Sequence, residues 1–128
     1  METKDEIIEV VKKYQEVVHS QDKKMFDDLW SNKHCILISI THQYNGKDEI
    51  YDDFMIGRIQ KSYSSIDLIN DGIEVNMIHD DMAIVVFQYH TECIKRDTGE
   101  FFGIQGLETQ VIIKEDNEWK LLHVHYSK

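Results

Sequence analysis

Proline is absent from the 128 residues of this sequence, and cysteine occurs only twice, at Cys35 and Cys93. Because no proline removes a backbone donor, long strands can pair without interruption. The two cysteines lie far apart and form no C-x-x-C motif, so we expect two free thiols in a reducing compartment. The chain is too short to divide into two well-buried cores, and a single domain over residues 1–128 is therefore predicted.

Positive charge is also scarce, since 14 Lys and Arg stand against 24 Asp and Glu, giving a net charge of -10. Nucleic-acid backbones and anionic lipid surfaces both attract clustered cations, so neither is an expected partner. No apolar run approaches the roughly 18 residues that a membrane span requires, and the charged first residues form no signal peptide. We therefore expect a cytoplasmic protein. Hydrophobic residues, at 41%, suffice for a packed core.

Helical periodicity dominates the first half of the chain. Thr3 and Glu6 match a capping box, which predicts that a helix of about 16 residues begins at this point. Asp22 is a candidate N-cap for a shorter second helix that would form a hairpin with the first. A third helix is expected over 48–61, because acidic residues stand at its start and basic residues near its end, as the helix dipole favours.

Alternating apolar and polar residues predict strands elsewhere, most of them in the second half. The expected strands are 35–41, 66–78 with a break at Asn70-Asp71-Gly72, 82–95, 101–114 and 119–126. The turns between them are expected at Asn45-Gly46, Asp80-Asp81, Asp97-Thr98-Gly99 and Asp116-Asn117. This order predicts an α+β fold, a cone-shaped roll of three N-terminal helices packed on a curved antiparallel sheet.

A specific pattern marks the C-terminal part. The E-T-Q-V run at 108–111 and the later run 118–127, with its H-x-H at His123 and His125, resemble the ending of SnoaL-like domains. The order of elements also resembles the nuclear transport factor 2-like superfamily, with its cystatin-like fold, which includes ketosteroid isomerase and polyketide cyclases of the SnoaL type. The tail is most similar to the association domain of calcium/calmodulin-dependent protein kinase II. This resemblance implies a cone with a pocket, but one fold hosts unrelated functions.

Comparison with ketosteroid isomerase argues against steroid isomerisation. At unchanged spacing, Tyr14 and Trp30 stand where the isomerase keeps a helical tyrosine and an aromatic residue, so Tyr14 would occupy the oxyanion-hole position. The same count puts Ile38 at the position of the carboxylate base, and its side chain accepts no proton. A one-residue slip presents Leu37 or Ser39, which are not carboxylates either. The alternative for Tyr14 is a core phenol bonded locally.

The association domain lines its pocket with arginines from three strands, and their matching positions here are Tyr89, Gln110 and Tyr126. The resemblance thus implies a pocket that lacks this cationic trio and is lined by these three side chains together with Trp30. Since a carboxylate ligand would lose its bidentate partners, a neutral small molecule is expected. The alternative is that large side chains fill the cone completely.

His123 and His125 stand two residues apart on one predicted strand, so both imidazoles lie on the same side of the sheet. A metal site would need a third ligand such as His90, Glu92 or Glu108. The resemblance, however, directs Val124 and Tyr126 toward the pocket, which leaves both histidines on the opposite face. We therefore predict neither a metal nor another cofactor.

Two functional classes remain. The first is a pocket protein, either a binder or a cofactor-free lyase, isomerase or hydrolase, and the sequence does not decide whether it is an enzyme. Its polar contacts would come from Tyr14, Tyr89, His90, Gln110 and Tyr126. The second class is an association module whose sheet mediates self-assembly. Apolar positions on the outer face of the sheet predict a homodimer.

Overall fold

Three helices lie against a bent sheet in the computed structural model, which describes residues 2–128. The predicted α+β arrangement is confirmed, and within the described residues no helix follows residue 63. The helices are α1 (Thr3–Ser20), α2 (Lys23–Leu29) and α3 (Gly46–Glu49), and α3 continues as a π-helix over Ile50–Gln60. The strands are β1 (Ile36–Ile38), β2 (Gln43–Asn45), β3 (Tyr63–His79), β4 (Met82–Lys95), β5 (Phe101–Phe102), β6 (Gln105–Glu115) and β7 (Glu118–Tyr126).

The two predicted N-caps have different outcomes. Asp22 caps α2 as expected, since its Oδ1 accepts a hydrogen bond of 2.9 Å from the backbone nitrogen of Met25. The capping box at the start of α1 is wrong, because Glu2 is the N-cap and makes no side-chain cap bond. The carboxylate of Glu6 instead accepts a 3.0 Å hydrogen bond from the indole nitrogen of Trp119. Glu6 thus ties α1 to β7.

The sheet has seven strands, with the order β2-β1-β7-β6-β4-β3 and with β5 paired to β4. The predicted meander is confirmed, because β3, β4, β6 and β7 pair antiparallel in sequence. One pair differs from the prediction: β1 lies parallel to β7. The short strand β2, which the sequence did not indicate, pairs with β1 in place of a simple turn at Asn45-Gly46.

Irregularities in the strands shape the cone. The register of β3 against β4 shifts between Asn70 and Gly72, at the predicted break. A second shift, between Val111 and Ile112, changes which residues of β7 face inward, so Leu121 and Val124, three residues apart, are both fully buried. The strand expected over 101–114 is split between β5 and β6.

The core fills the space between α1 and the inner face of the sheet. α1 lies along β3 and β7 and buries an apolar stripe that includes Ile7, Val11 and Val17. Phe26 on α2 and Met55 on the π-helix close the same core. Within residues 2–128 no helix is both long and apolar enough to cross a membrane.

Candidate functional site

A cavity of about 160 Å³ lies between α1, the π-helix and the inner face of the sheet, and it opens to solvent on one side. This volume is close to the ~150 Å³ of an engineered cavity that accommodates benzene. Its aromatic lining comes from Tyr14, Tyr44, Phe54, Tyr63, Tyr89, Phe102 and Tyr126. Its polar lining comes from Ser39, Arg58, Ser62, Thr91, Cys93 and Glu108. Side chains therefore do not fill the cone completely.

Glu108 is the buried carboxyl group of this cavity. It is only 3% exposed, because alternation along β6 turns it to the inner face of the sheet. Burial raises its pKa to about 8, and a hydrogen bond from Gln110 opposes that rise. The amide nitrogen of Gln110 donates to Glu108 Oε2 over 2.6 Å. Glu108 is thus mainly protonated at neutral pH and can donate a hydrogen bond.

Tyr14 lines the cavity from α1. Its side chain is 2% exposed, and within residues 2–128 its hydroxyl forms no hydrogen bond. Burial raises the pKa of this phenol well above its ordinary value, and the nearby Glu108 raises it further. Tyr14 therefore remains a neutral donor, close to a second neutral donor.

Two further tyrosines stand beside this pair. The rings of Tyr89 and Tyr126 meet edge to face with centroids 6.1 Å apart. The hydroxyl of Tyr89 donates to the carbonyl oxygen of Ser127 over 2.7 Å, and burial raises the pKa of Tyr89 to about 12. Burial also raises the pKa of Tyr126. Because its hydroxyl is already hydrogen-bonded, Tyr89 contributes mainly its ring to the cavity lining. The hydroxyl of Tyr126 remains able to donate a hydrogen bond to a ligand.

The structure places the six predicted pocket residues in different surroundings. Tyr14, Tyr89 and Tyr126 line the cavity. Gln110 is fully buried on the same side of the sheet but does not line the cavity; it holds Glu108 in place. Trp30 is buried behind Tyr14, with ring centroids 6.4 Å apart, so it supports the wall.

His90 lies outside the cavity, contrary to the prediction. It follows the inward-facing Tyr89 on β4 and so points to the outer face. Its two ring nitrogens lie 2.6 Å from Asp71 and 3.0 Å from Glu92. The hydrogen bonds that His90 donates to these carboxylates raise its pKa, and the bond to Asp71 has the largest effect.

Ser39, not Ile38, is the cavity-lining residue of its segment. Leu37 is fully buried and Ile38 only partly, and the side chain at the counted position does not line the cavity. The conclusion drawn from that count is unchanged, because Ser39 offers no carboxylate. The hydroxyl of Ser39 is bonded locally, to the carbonyl oxygen of His42 at 3.3 Å.

Sequence reasoning missed Glu108 and Arg58 as pocket residues. The signal for Glu108 was present, since residues two apart share a face and Gln110 was already assigned to the pocket. Arg58 lies on the π-helix, whose wider turn no periodicity argument anticipated. Among the described lining residues, these two are the only members of the Asp, Glu, Lys and Arg types.

His123 and His125 face away from the inward-pointing Val124. Burial lowers the pKa of His123, and His125 lowers it further. In the part of the chain that the structure describes, no group of three or more His, Cys, Asp or Glu side chains is arranged to hold a metal ion.

Residues 7–128 match the SnoaL-like domain family. A nuclear transport factor 2-like superfamily protein from Salmonella enterica superimposes with a TM-score of 0.91 at 25% identity, over 97% of this chain and 89% of that chain. A hexachlorocyclohexane dehydrochlorinase, LinA-type3, from Novosphingobium barchaimii gives a TM-score of 0.85 at 10% identity, over 98% and 85%. A Xanthomonas campestris protein described as a calcium/calmodulin dependent protein kinase II association domain gives 0.79 at 17% identity, over 95% and 84%. No curated protein sequence matches this chain.

Proposed function

The chain belongs to the SnoaL-like domain family, and we propose that it binds a small molecule with an apolar body and one carbonyl oxygen. The observation that carries this proposal is the pair formed by Tyr14 and Glu108, two buried donors at one cavity. Within residues 2–128 the polar side-chain atoms sealed from solvent without a partner are Trp30 Nε1 and Gln110 Oε1. The Tyr14 hydroxyl and the second oxygen of Glu108 also form no hydrogen bond there, but they are not sealed, so they face the open space of the cavity and can be satisfied by a ligand. A ligand oxygen that accepts from both would satisfy them.

The surrounding walls support an apolar ligand body. Tyr44, Phe54 and Tyr126 form a continuous aromatic row, in which the ring centroid of Phe54 lies 5.3 Å from that of Tyr44 and 6.1 Å from that of Tyr126. Small-molecule sites usually combine such walls with a few convergent polar groups. The enclosed volume accommodates a body about the size of one benzene ring.

The same pair of side chains supports cofactor-free lyase or isomerase chemistry. A hydrogen bond from Tyr14 to a carbonyl oxygen stabilises the negative charge that develops there when a neighbouring carbon loses a proton. Among the described residues that line the cavity there is no histidine and no carboxyl group other than Glu108. Glu108 in its ionised form is therefore the base that we assign to any proton transfer here, and Tyr14 is then the remaining donor to the carbonyl oxygen. The structurally similar dehydrochlorinase supports the fold of this chain, and its activity is not used to support the proposed chemistry.

Acetophenone and ethylbenzene form a matched pair of probes for this proposal, since only the first has a carbonyl oxygen. Calorimetric titration should show that the wild-type protein binds acetophenone more tightly. Tyr14→Phe and Glu108→Leu should each weaken acetophenone binding by roughly tenfold, because each loses one hydrogen bond to the ligand. Ethylbenzene binding should change little. Equal loss of both probes would indicate a collapsed cavity, and no loss of either would contradict the proposed donors.

A second proposal is self-association through the outer face of the sheet. Ile94 on β4 points outward beside its partner Phe101 on β5, and Leu107 on β6 points outward beside its partner Gln88, further along β4. Phe101 is 68% exposed and Leu107 is 54% exposed. Large apolar side chains on a sheet face are typical of an interface between copies. We propose that a homodimer forms there, independently of what the cavity binds.

A further inference from the structure

The mouth of the cavity differs in charge from its floor. Arg58 and Ser62 are exposed lining residues, whereas Glu108 and Tyr14 are buried ones, so the first two mark the open end. Glu108 is mainly neutral at pH 7, which leaves Arg58 as the net charge of the lining. In a chain with a net charge of -10, the cavity is therefore locally cationic.

The two arginines of the chain have different roles. Arg96 holds the backbone, since it donates to the carbonyl oxygens of Gln60 at 3.0 Å and Tyr63 at 2.9 Å. Arg58 forms no ion pair with an acidic side chain in residues 2–128. Its guanidinium therefore keeps its donors for something that enters the mouth.

The position of Arg58 suits a ligand that spans the cavity. Arg58, Tyr63 and Tyr126 line the same cavity, and the charge of Arg58 opposes the rise that burial causes in the pKa values of both phenols. Ser62 stands four residues further along the same helical segment, on the side that faces the cavity. An arginine and a hydroxyl group at this spacing can bind the two oxygens of one carboxylate.

We propose that the ligand carries a carboxylate, which Arg58 and Ser62 bind at the mouth while its carbonyl oxygen lies between Tyr14 and Glu108. The ligand class is then a small keto acid with an apolar body. This inference rests on the proposed function and narrows it. It also replaces the expectation of a neutral ligand, which considered only arginines on strands, whereas Arg58 comes from the π-helix.

Two pairs of probes isolate the carboxylate: 4-acetylbenzoate with 4-acetylbenzamide, and 5-oxohexanoate with its amide. Within each pair the ketone is the same and only the charge at the other end changes. We expect the wild-type protein to bind at least one acid roughly tenfold more tightly than its amide, as a charge-assisted contact predicts. Arg58→Gln should abolish this difference, and Arg58→Lys should restore part of it.

Lys61→Gln is the matched control, because Lys61 is an exposed cation on the same segment and does not line the cavity. It should retain the preference for the acid. An equal affinity for acid and amide in the wild type, or an unchanged preference in Arg58→Gln, would overturn the carboxylate site. Acetophenone separates the two proposals: if its binding still depends on Tyr14 and Glu108, only the inference about Arg58 fails. If no ketone binds, the proposed function fails as well.

Discussion

A carboxyl group enclosed in an apolar cavity makes stability depend on pH. Glu108 has a pKa of about 8 in the folded protein, against an ordinary value of 4.5. Between these two values the folded chain keeps a proton that the unfolded chain has lost, so stability falls as the pH rises. The stability that the folded protein gains by keeping this carboxyl neutral is fully present below pH 4.5 and is lost by about pH 8.

Replacing Glu108 with Gln should remove this dependence. The difference in unfolding free energy between Glu108→Gln and the wild type should grow by roughly 3 kcal/mol from pH 4.5 to pH 7, in favour of the variant. Urea denaturation at several pH values measures it. Glu16→Gln, which removes an exposed carboxylate of α1, should follow the wild-type curve. Parallel curves for Glu108→Gln and the wild type would mean that Glu108 is not held neutral.

Two glycines near the start of β6, Gly103 and Gly106, allow other backbone segments to pack closely against them. A Cβ atom on Gly103, which lies between β5 and β6, would be 2.3 Å from the carbonyl oxygen of Thr91, so this position does not admit a side chain without a shift of the backbone. A Cβ atom on Gly106 would meet the backbone of Ser127, whose carbonyl oxygen also accepts the hydrogen bond from Tyr89. A substitution at Gly106 that displaces Ser127 would therefore also displace the hydrogen-bond partner of Tyr89, which lines the cavity.

Gly106→Ala should destabilise the protein by about 1–3 kcal/mol, because the backbone of Ser127 must move to admit the methyl group. Gly72→Ala is the control, since its nearest neighbour is the flexible side chain of Gln88 at 3.2 Å, and it should cost less. Thermal denaturation followed by circular dichroism compares the two. An equal loss of stability in Gly106→Ala and Gly72→Ala would show that Ser127 does not constrain this edge of the sheet.

At the level of elements, local chemistry in the sequence predicted most of the fold. Asp22 capped its helix and Asn70-Asp71-Gly72 broke its strand, because both act through neighbouring residues. The predicted capping box does not form, because the carboxylate of Glu6 instead accepts a hydrogen bond from Trp119, which lies 113 positions away in the sequence. The parallel pairing of β1 with β7 likewise depends on distant residues.

The site was predicted less completely than the fold. Tyr14, Tyr89 and Tyr126 were assigned to the pocket through the family resemblance and strand alternation, and they do line it. His90 was misplaced although it directly follows Tyr89, and alternation alone excludes it from the same face. Arg58 could not be assigned, because its orientation depends on a π-helix that the spacing of apolar residues does not reveal.

For the whole molecule, the negative net charge and the exposed apolar face have opposite effects on self-association. A net charge of -10 on each chain favours separation in dilute salt. The outward-facing Leu107 and Ile94 favour association, because pairing removes them from water at roughly 25 cal/mol per Å². Since salt screens the first effect and leaves the second, the proposed homodimer should become tighter as ionic strength rises.

Leu107→Glu tests this interface directly. A glutamate at this position would bury an unpaired charge in the proposed contact, so the variant should be monomeric at a concentration where the wild type is dimeric. Light scattering coupled to size-exclusion chromatography gives both masses. Ile40→Glu is the matched control, because Ile40 is 43% exposed but lies between β1 and β2, away from this face, and it should remain dimeric. A monomeric wild type at micromolar concentration would refute the dimer, whereas a dimer that survives Leu107→Glu would move the interface to another surface.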